Sequence, residues 1–212
     1  MTRAGRHLGL SLIVTALCAA AWYAGEPAEA MARLSLLTAW LCFLLLAAAL
    51  CLGPWRVLRG GQPALNHLPR RDLGIWAAIT ALAHLLTATA VVMTPVYYGR
   101  YINGPDNQPV SAFIGQLSTI SIISGYLIGI ACLLLLLVSN NLALRVLGAQ
   151  RWKGLQRWAY GVFVLTAAHG LAFQYIELRT GMWLIALSLG SLVVLALQLA
   201  GRRAVLRRTQ QG

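Results

Sequence analysis

Six long runs of apolar residues constrain this chain more than any other feature of its sequence. The runs span residues 8–24, 34–52, 73–96, 113–138, 158–175 and 182–200. Each approaches or exceeds the roughly 17 to 25 residues that a helix needs to cross a bilayer. Because backbone polar groups in hydrocarbon must be hydrogen-bonded within the chain, runs of this length are expected to be helical. We therefore predict an all-α, six-helix transmembrane bundle.

The apolar runs leave no room for a second domain, and residues 1–212 are predicted to form a single transmembrane domain. The longest polar stretches, residues 53–72 and 139–157, are interpreted as connecting loops, and residues 201–212 as a basic tail. Arg3 and Arg6 before the first run, with Ala28-Glu29-Ala30 after it, are also typical of a cleavable signal peptide. We expect the segment to be retained as the first transmembrane helix, and the later helices keep the same orientation in either case.

The net charge of +12 is distributed unevenly along the chain. Fourteen of the seventeen basic residues lie in alternate connections: Arg3, Arg6, Arg56, Arg59, Arg70, Arg71, Arg145, Arg151, Lys153, Arg157, Arg202, Arg203, Arg207 and Arg208. The remaining connections hold three basic residues and four of the five acids. The positive-inside rule then places both termini in the cytoplasm. These charges indicate topology and contact with anionic lipid rather than nucleic-acid binding.

Several kinds of chemistry have no motif in this sequence. The four cysteines are scattered singly without a CxxC pair, which speaks against zinc, iron–sulfur or dithiol sites. There is no GxGxxG, Walker or GxSxG motif, and the small number of acidic residues, five, speaks against paired-carboxylate catalysis. No catalytic residue is therefore assigned.

Two histidines, His84 and His169, lie deep inside apolar runs. His84 follows Arg71 by thirteen residues and His169 follows Arg157 by twelve, or roughly 20 Å and 18 Å at about 1.5 Å per helical residue. Both imidazoles are thus predicted at the same depth, at the midplane or somewhat beyond it. A buried imidazole is costly in hydrocarbon and usually marks a functional site, and haem iron accepts two imidazoles from facing helices.

The neighbours of both histidines are mostly small, as a flat macrocycle between helices requires. The predicted site is one haem b, with His84 and His169 as iron ligands and with Thr80, Ala81, Ala88, Thr166 and Phe173 around it. Arg100, together with Tyr97, Tyr98 or Arg179, is a candidate to meet the propionates on the external side. The alternative is that each histidine only hydrogen-bonds a neighbouring helix and that small residues allow close helix packing.

Three sequence blocks resemble the ferric-reductase-like transmembrane family. The first block is Leu52-Gly53-Pro54 with Arg56, and the second is residues 70–76 (RRDLGIW), which lead to His84. The third block, residues 139–169, ends at His169 and contains Ser139-Asn140, residues 145–148 (RVLG), Arg151-Trp152, Leu155 and Tyr160. The likeness covers about residues 31 to 175 and is closest to the MsrQ (YedZ) type, the haem-binding membrane subunit of periplasmic methionine sulfoxide reductase systems. Members of that type commonly carry another histidine where this chain has Gln156, so one haem is expected rather than two.

The resemblance implies an electron-transfer subunit of an oxidoreductase system in the bacterial inner membrane. Electrons would come from quinol or a separate flavoprotein, because no flavin or nicotinamide domain is visible, and would pass to a periplasmic oxidoreductase or another subunit of a membrane complex. A quinone or a flavin is a possible second cofactor. Two alternatives stay open: a direct reductase of ferric chelates or another external acceptor, and a non-redox scaffold or assembly subunit.

Overall fold

The computed structural model describes residues 2–61, 68–95, 111–179 and 181–211. Seven α-helices follow one another along this part of the chain. They are α1 (Arg3–Tyr23), α2 (Ala30–Leu58), α3 (Leu68–Val92), α4 (Ala112–Leu137), α5 (Asn141–Gln156), α6 (Trp158–Ile176) and α7 (Met182–Gln211). A single turn of 3-10 helix, Pro27–Glu29, joins α1 to α2.

Six candidate spans are long and apolar enough to cross a membrane, with α5 and α6 counted as one continuous segment. No strand occurs in the described ranges. The predicted all-α, six-helix bundle is therefore confirmed, and the chain is a multi-pass membrane protein. With six crossings, both ends of the chain lie on one side, which we call the basic end because most arginines belong to it.

The interpretation of residues 139–157 as a plain loop was wrong, because this stretch forms helix α5. Asn140 begins the helix, since its side-chain oxygen accepts a hydrogen bond of 2.7 Å from the Ala143 backbone N–H. Gly148, with a φ of +72°, breaks α5 into two short pieces, a conformation that glycine adopts without strain. The buried Trp152 indole donates to the Val138 carbonyl at 2.9 Å and fastens the second piece to the end of α4.

Helix α2 is the central element, and it packs most extensively against α3 and α7. Phe43 of α2 stacks on Phe163 of α6 with ring centres 5.6 Å apart, in the middle of the apolar core. At the basic end α7 approaches α2 so closely that a Cβ added at Gly201 would stand 2.8 Å from the Cβ of Pro54. This close contact fixes the last helix against the centre of the bundle.

Helix α1 is attached to α3 through a buried carboxylate, Asp72, whose side chain is 1% exposed. Arg6 donates to one carboxylate oxygen at 2.7 Å, and Arg3 donates to the other at 3.1 Å. His7 lies 3.2 Å from the same carboxylate, and its Nδ1 accepts a hydrogen bond of 3.1 Å from Trp76. These contacts stabilise the position of α1 at the basic end, where its own residues are otherwise little buried.

Candidate cofactor site

The imidazoles of His84 and His169 come together inside the bundle. His84 is on α3 and His169 is on α6, and their ring centres are 6.4 Å apart with the ring planes at 80°. The two residues are 85 positions apart in the chain and belong to helices that both start at the basic end. Counting from Arg71 and Arg157 predicted imidazoles at similar heights, and the structure brings the two rings next to each other.

Each imidazole is oriented by a main-chain carbonyl of another helix. Nδ1 of His84 lies 2.9 Å from the Ser35 carbonyl on α2, and Nδ1 of His169 lies 2.9 Å from the Ser121 carbonyl on α4. A carbonyl oxygen can only accept a hydrogen bond, so Nδ1 is the protonated nitrogen in both rings. The lone pair is then on Nε2, the tautomer that a metal-binding histidine adopts when its other nitrogen is held in this way.

The separation of the rings suits one metal ion between them. Metal–imidazole bonds are about 2 Å long and a ring nitrogen lies about 1 Å from its ring centre, so two imidazoles on opposite sides of one ion have centres about 6 Å apart. The observed 6.4 Å is close to that value. A direct hydrogen bond between the two Nε2 atoms is excluded, because with both Nδ1 atoms protonated neither Nε2 carries a proton to donate.

Two glycines of α4 make room for the side chains of this region. A Cβ at Gly125 would lie 2.9 Å from Cε1 of His169, and a Cβ at Gly129 would lie 2.7 Å from Cδ2 of Leu85, the residue after His84. The GxxxG spacing of these glycines indicated only close helix packing from sequence. In the structure Gly125 accommodates the imidazole itself, so it belongs to the site. Ser35, Ser121 and Ser124 belong to it as well, and the hydroxyl of Ser124 lies 3.1 Å from Nδ1 of His169.

A cavity of about 310 Å³ opens beside the two rings, within the size range of ligand pockets. Seven of the predicted residues line it: Ala81, His84, Ala88, Thr166, His169, Phe173 and Arg179. The Phe173 ring is 4.9 Å from that of His169. Thr80 is not part of the wall, because its buried hydroxyl donates to the Trp76 and Ala77 carbonyls. Arg100, like Tyr97 and Tyr98, lies outside the described residues.

Three polar residues lie at the end of the cavity remote from the basic end. Gln174, Glu177 and Arg179 belong to its wall, and Arg179 is paired with Glu177 at 3.1 Å. The side-chain oxygen of Gln174 is buried and has no hydrogen-bond partner among the described residues. A buried acceptor without a partner is costly, so Gln174 is a strained point of the cavity wall.

The side chains available as metal ligands limit which metal ion or cofactor this cavity could hold. Among the described residues no group of three or more His, Cys, Asp or Glu side chains could bind a metal ion. Two neutral imidazoles alone do not complete the four-coordinate shell of a structural zinc ion. The two imidazoles match what haem would require of a protein, because its macrocycle itself supplies the other nitrogens to the iron.

Comparison of the chain with known protein families, with curated proteins and with solved structures gives no match.

Proposed function

We propose that this protein is a b-type cytochrome of the bacterial inner membrane, an electron-transfer subunit of an oxidoreductase system. It would carry electrons from quinol or a flavoprotein through one haem, bound by His84 and His169, to a periplasmic acceptor or oxidoreductase. The observation that carries the proposal is the matched pair of hydrogen bonds, 2.9 Å each, that leaves both Nε2 atoms unprotonated on rings 6.4 Å apart.

The residues of this site have three tasks in the proposal. His84 and His169 would hold the haem iron, and a haem held by two imidazoles would supply electron exchange rather than oxygen binding. The carbonyls of Ser35 and Ser121 hold each imidazole in its tautomer and orientation. The apolar wall, with Phe173 packed on His169, keeps water away from the metal.

The direction of transfer is supported by the charges. Fourteen of the seventeen basic residues belong to the N-terminus, to the connections at the basic end or to the C-terminus, so the positive-inside rule puts that end in the cytoplasm. The donor would then be met at the basic end and the acceptor at the other. The sequence resemblance to the ferric-reductase-like transmembrane family supports the same function and the periplasmic partner.

Absorption spectra of the purified protein, oxidised and then reduced with dithionite, test the proposal. We expect a low-spin b-type spectrum, lost in His84→Ala and in His169→Ala. The matched control is His7→Ala, the same replacement at a histidine that contacts Asp72 and not the cavity, and it should keep the spectrum. A wild-type protein that folds, is expressed with haem available and stays colourless would refute the function.

A further inference from the structure

A second cavity, of about 530 Å³, opens at the basic end of the bundle. Five basic side chains line it: Arg70, Arg71, Lys153, Arg157 and Arg202. They come from α3, α5, α7 and the α5–α6 junction, which are distant in sequence. The deeper wall is apolar and includes Leu46, Leu50, Ala78, Cys132 and Val162. The cavity is therefore amphipathic, with cations at its mouth and hydrocarbon surface inside.

No acidic residue lines this cavity. In the described part of the chain the one carboxylate at the basic end, Asp72, is already bound by Arg3 and Arg6. Glu29 and Glu177 pair with arginines at the opposite end. Five positive charges around one cavity repel one another, and Asp72, the one described carboxylate at this end, is shared with Arg3 and Arg6.

The five cations differ in how firmly they are held. Arg71 is anchored, because its guanidinium donates to the Ser139 carbonyl at 2.9 Å and to the Asn141 side chain at 2.7 Å. Arg70 reaches the Tyr160 hydroxyl at 3.4 Å. The side chains of Lys153, Arg157 and Arg202 are exposed and form no hydrogen bond or ion pair within residues 2–61, 68–95, 111–179 and 181–211. These three remain available to an anion.

We propose that this cavity is a specific site for one anionic phospholipid, with its phosphate on Arg157, Arg202 and Lys153 and its acyl chains against the apolar wall. Arginine matches the geometry of phosphate oxygens through two parallel N–H donors. Basic pockets between transmembrane helices are where anionic head groups bind. An anion with an apolar tail satisfies both parts of the cavity, whereas inorganic phosphate would leave the inner wall without a partner. The site does not depend on haem, since it follows from the membrane fold and the charges alone.

Native mass spectrometry of the protein in mild detergent tests the site. After delipidation, dioleoyl phosphatidylglycerol, dioleoyl phosphatidylcholine and sodium phosphate are titrated separately. We expect one tight adduct with phosphatidylglycerol only. The double variant Arg157→Gln with Arg202→Gln should bind it about thirty-fold more weakly, from the typical contribution of each cation near a lipid surface.

The matched control is Arg151→Gln with Arg203→Gln, which removes the same charge from exposed arginines outside the cavity. It should change the affinity by less than about three-fold. If both double variants bound phosphatidylglycerol equally weakly, the lipid would be held by general charge attraction and not by a specific site, which would overturn the proposal. Equal affinity for the two lipids in the wild-type protein would overturn it without any variant, and so would binding of inorganic phosphate as tight as that of phosphatidylglycerol.

Discussion

Replacing Gly125 by alanine tests whether the position of one imidazole is set by the helix opposite it. The added Cβ would lie 2.9 Å from Cε1 of His169, whereas carbon atoms in contact prefer about 3.5 to 4.0 Å. The ring must therefore retreat by roughly 0.6 to 1 Å. The Nδ1–Ser121 hydrogen bond, now 2.9 Å, would lengthen beyond the useful range if the ring moved away from that carbonyl.

The matched control is Gly115→Ala, the same replacement on the same helix at a glycine with no atom within 4 Å of the added Cβ. Because both variants gain the helix propensity of alanine, their difference isolates the clash. We expect Gly125→Ala to be less stable than Gly115→Ala by about 1 to 3 kcal/mol, the usual cost of overpacking. Unfolding in mixed detergent micelles, on haem-free protein, measures this difference.

The same pair of variants reports on the proposed haem. In Gly125→Ala the displaced imidazole should leave part of the iron high-spin or lower the haem-to-protein ratio, while Gly115→Ala should retain the wild-type spectrum. Equal stability and equal spectra in the two variants would contradict the view that Gly125 accommodates the ring of His169.

Three further predictions concern the docking of α1, the contact between α2 and α7, and the iron. Asp72→Asn removes the charge-assisted bonds to two arginines and should lower the free energy of unfolding by about 2 kcal/mol; an unchanged denaturation curve would mean that α1 is held by other contacts. Gly201→Ala places a Cβ 2.8 Å from Pro54 Cβ and should lower the stability of the protein by about 1 to 3 kcal/mol. The control Gly161→Ala should cause no loss of stability, because its added Cβ meets nothing within 4 Å. The imidazole planes are at 80° to each other, and if this angle persists in the haem-bound protein, the ferric form should give a strongly anisotropic low-spin signal in electron paramagnetic resonance. A signal typical of parallel imidazole planes would show that the rings reorient.

The features that could be predicted from sequence are those that depend on distance along one helix. The lengths of the apolar runs predicted six spans, and the depths of His84 and His169 followed from the rise per residue after Arg71 and Arg157. Helix α5 was missed because its residues are too polar for a membrane span, although Asn140, two residues before the apolar Leu142, is a helix-start signal that could have been used.

The contacts that orient the site could not be predicted. The groups that hold the imidazoles are the carbonyls of Ser35 and Ser121, and every residue type carries a carbonyl, so no side chain marks the position. The basic cavity could not be predicted from the sequence for a related reason. Arg157 and Arg202 are 45 positions apart in the sequence and each is explained individually by topology, so only their meeting in space indicates a shared ligand.

The contacts that orient the two imidazoles also determine how many helices must be synthesised before the site is complete. His84 on α3 depends on a carbonyl of α2, and His169 on α6 depends on a carbonyl of α4, so four helices must be in place before both imidazoles have their final direction. The last of these four helices to be synthesised, α6, ends at Ile176. A prosthetic group that needs both nitrogens can therefore be bound only after α6 has been made, and a ribosome stalled before α6 would expose a chain with half a binding site.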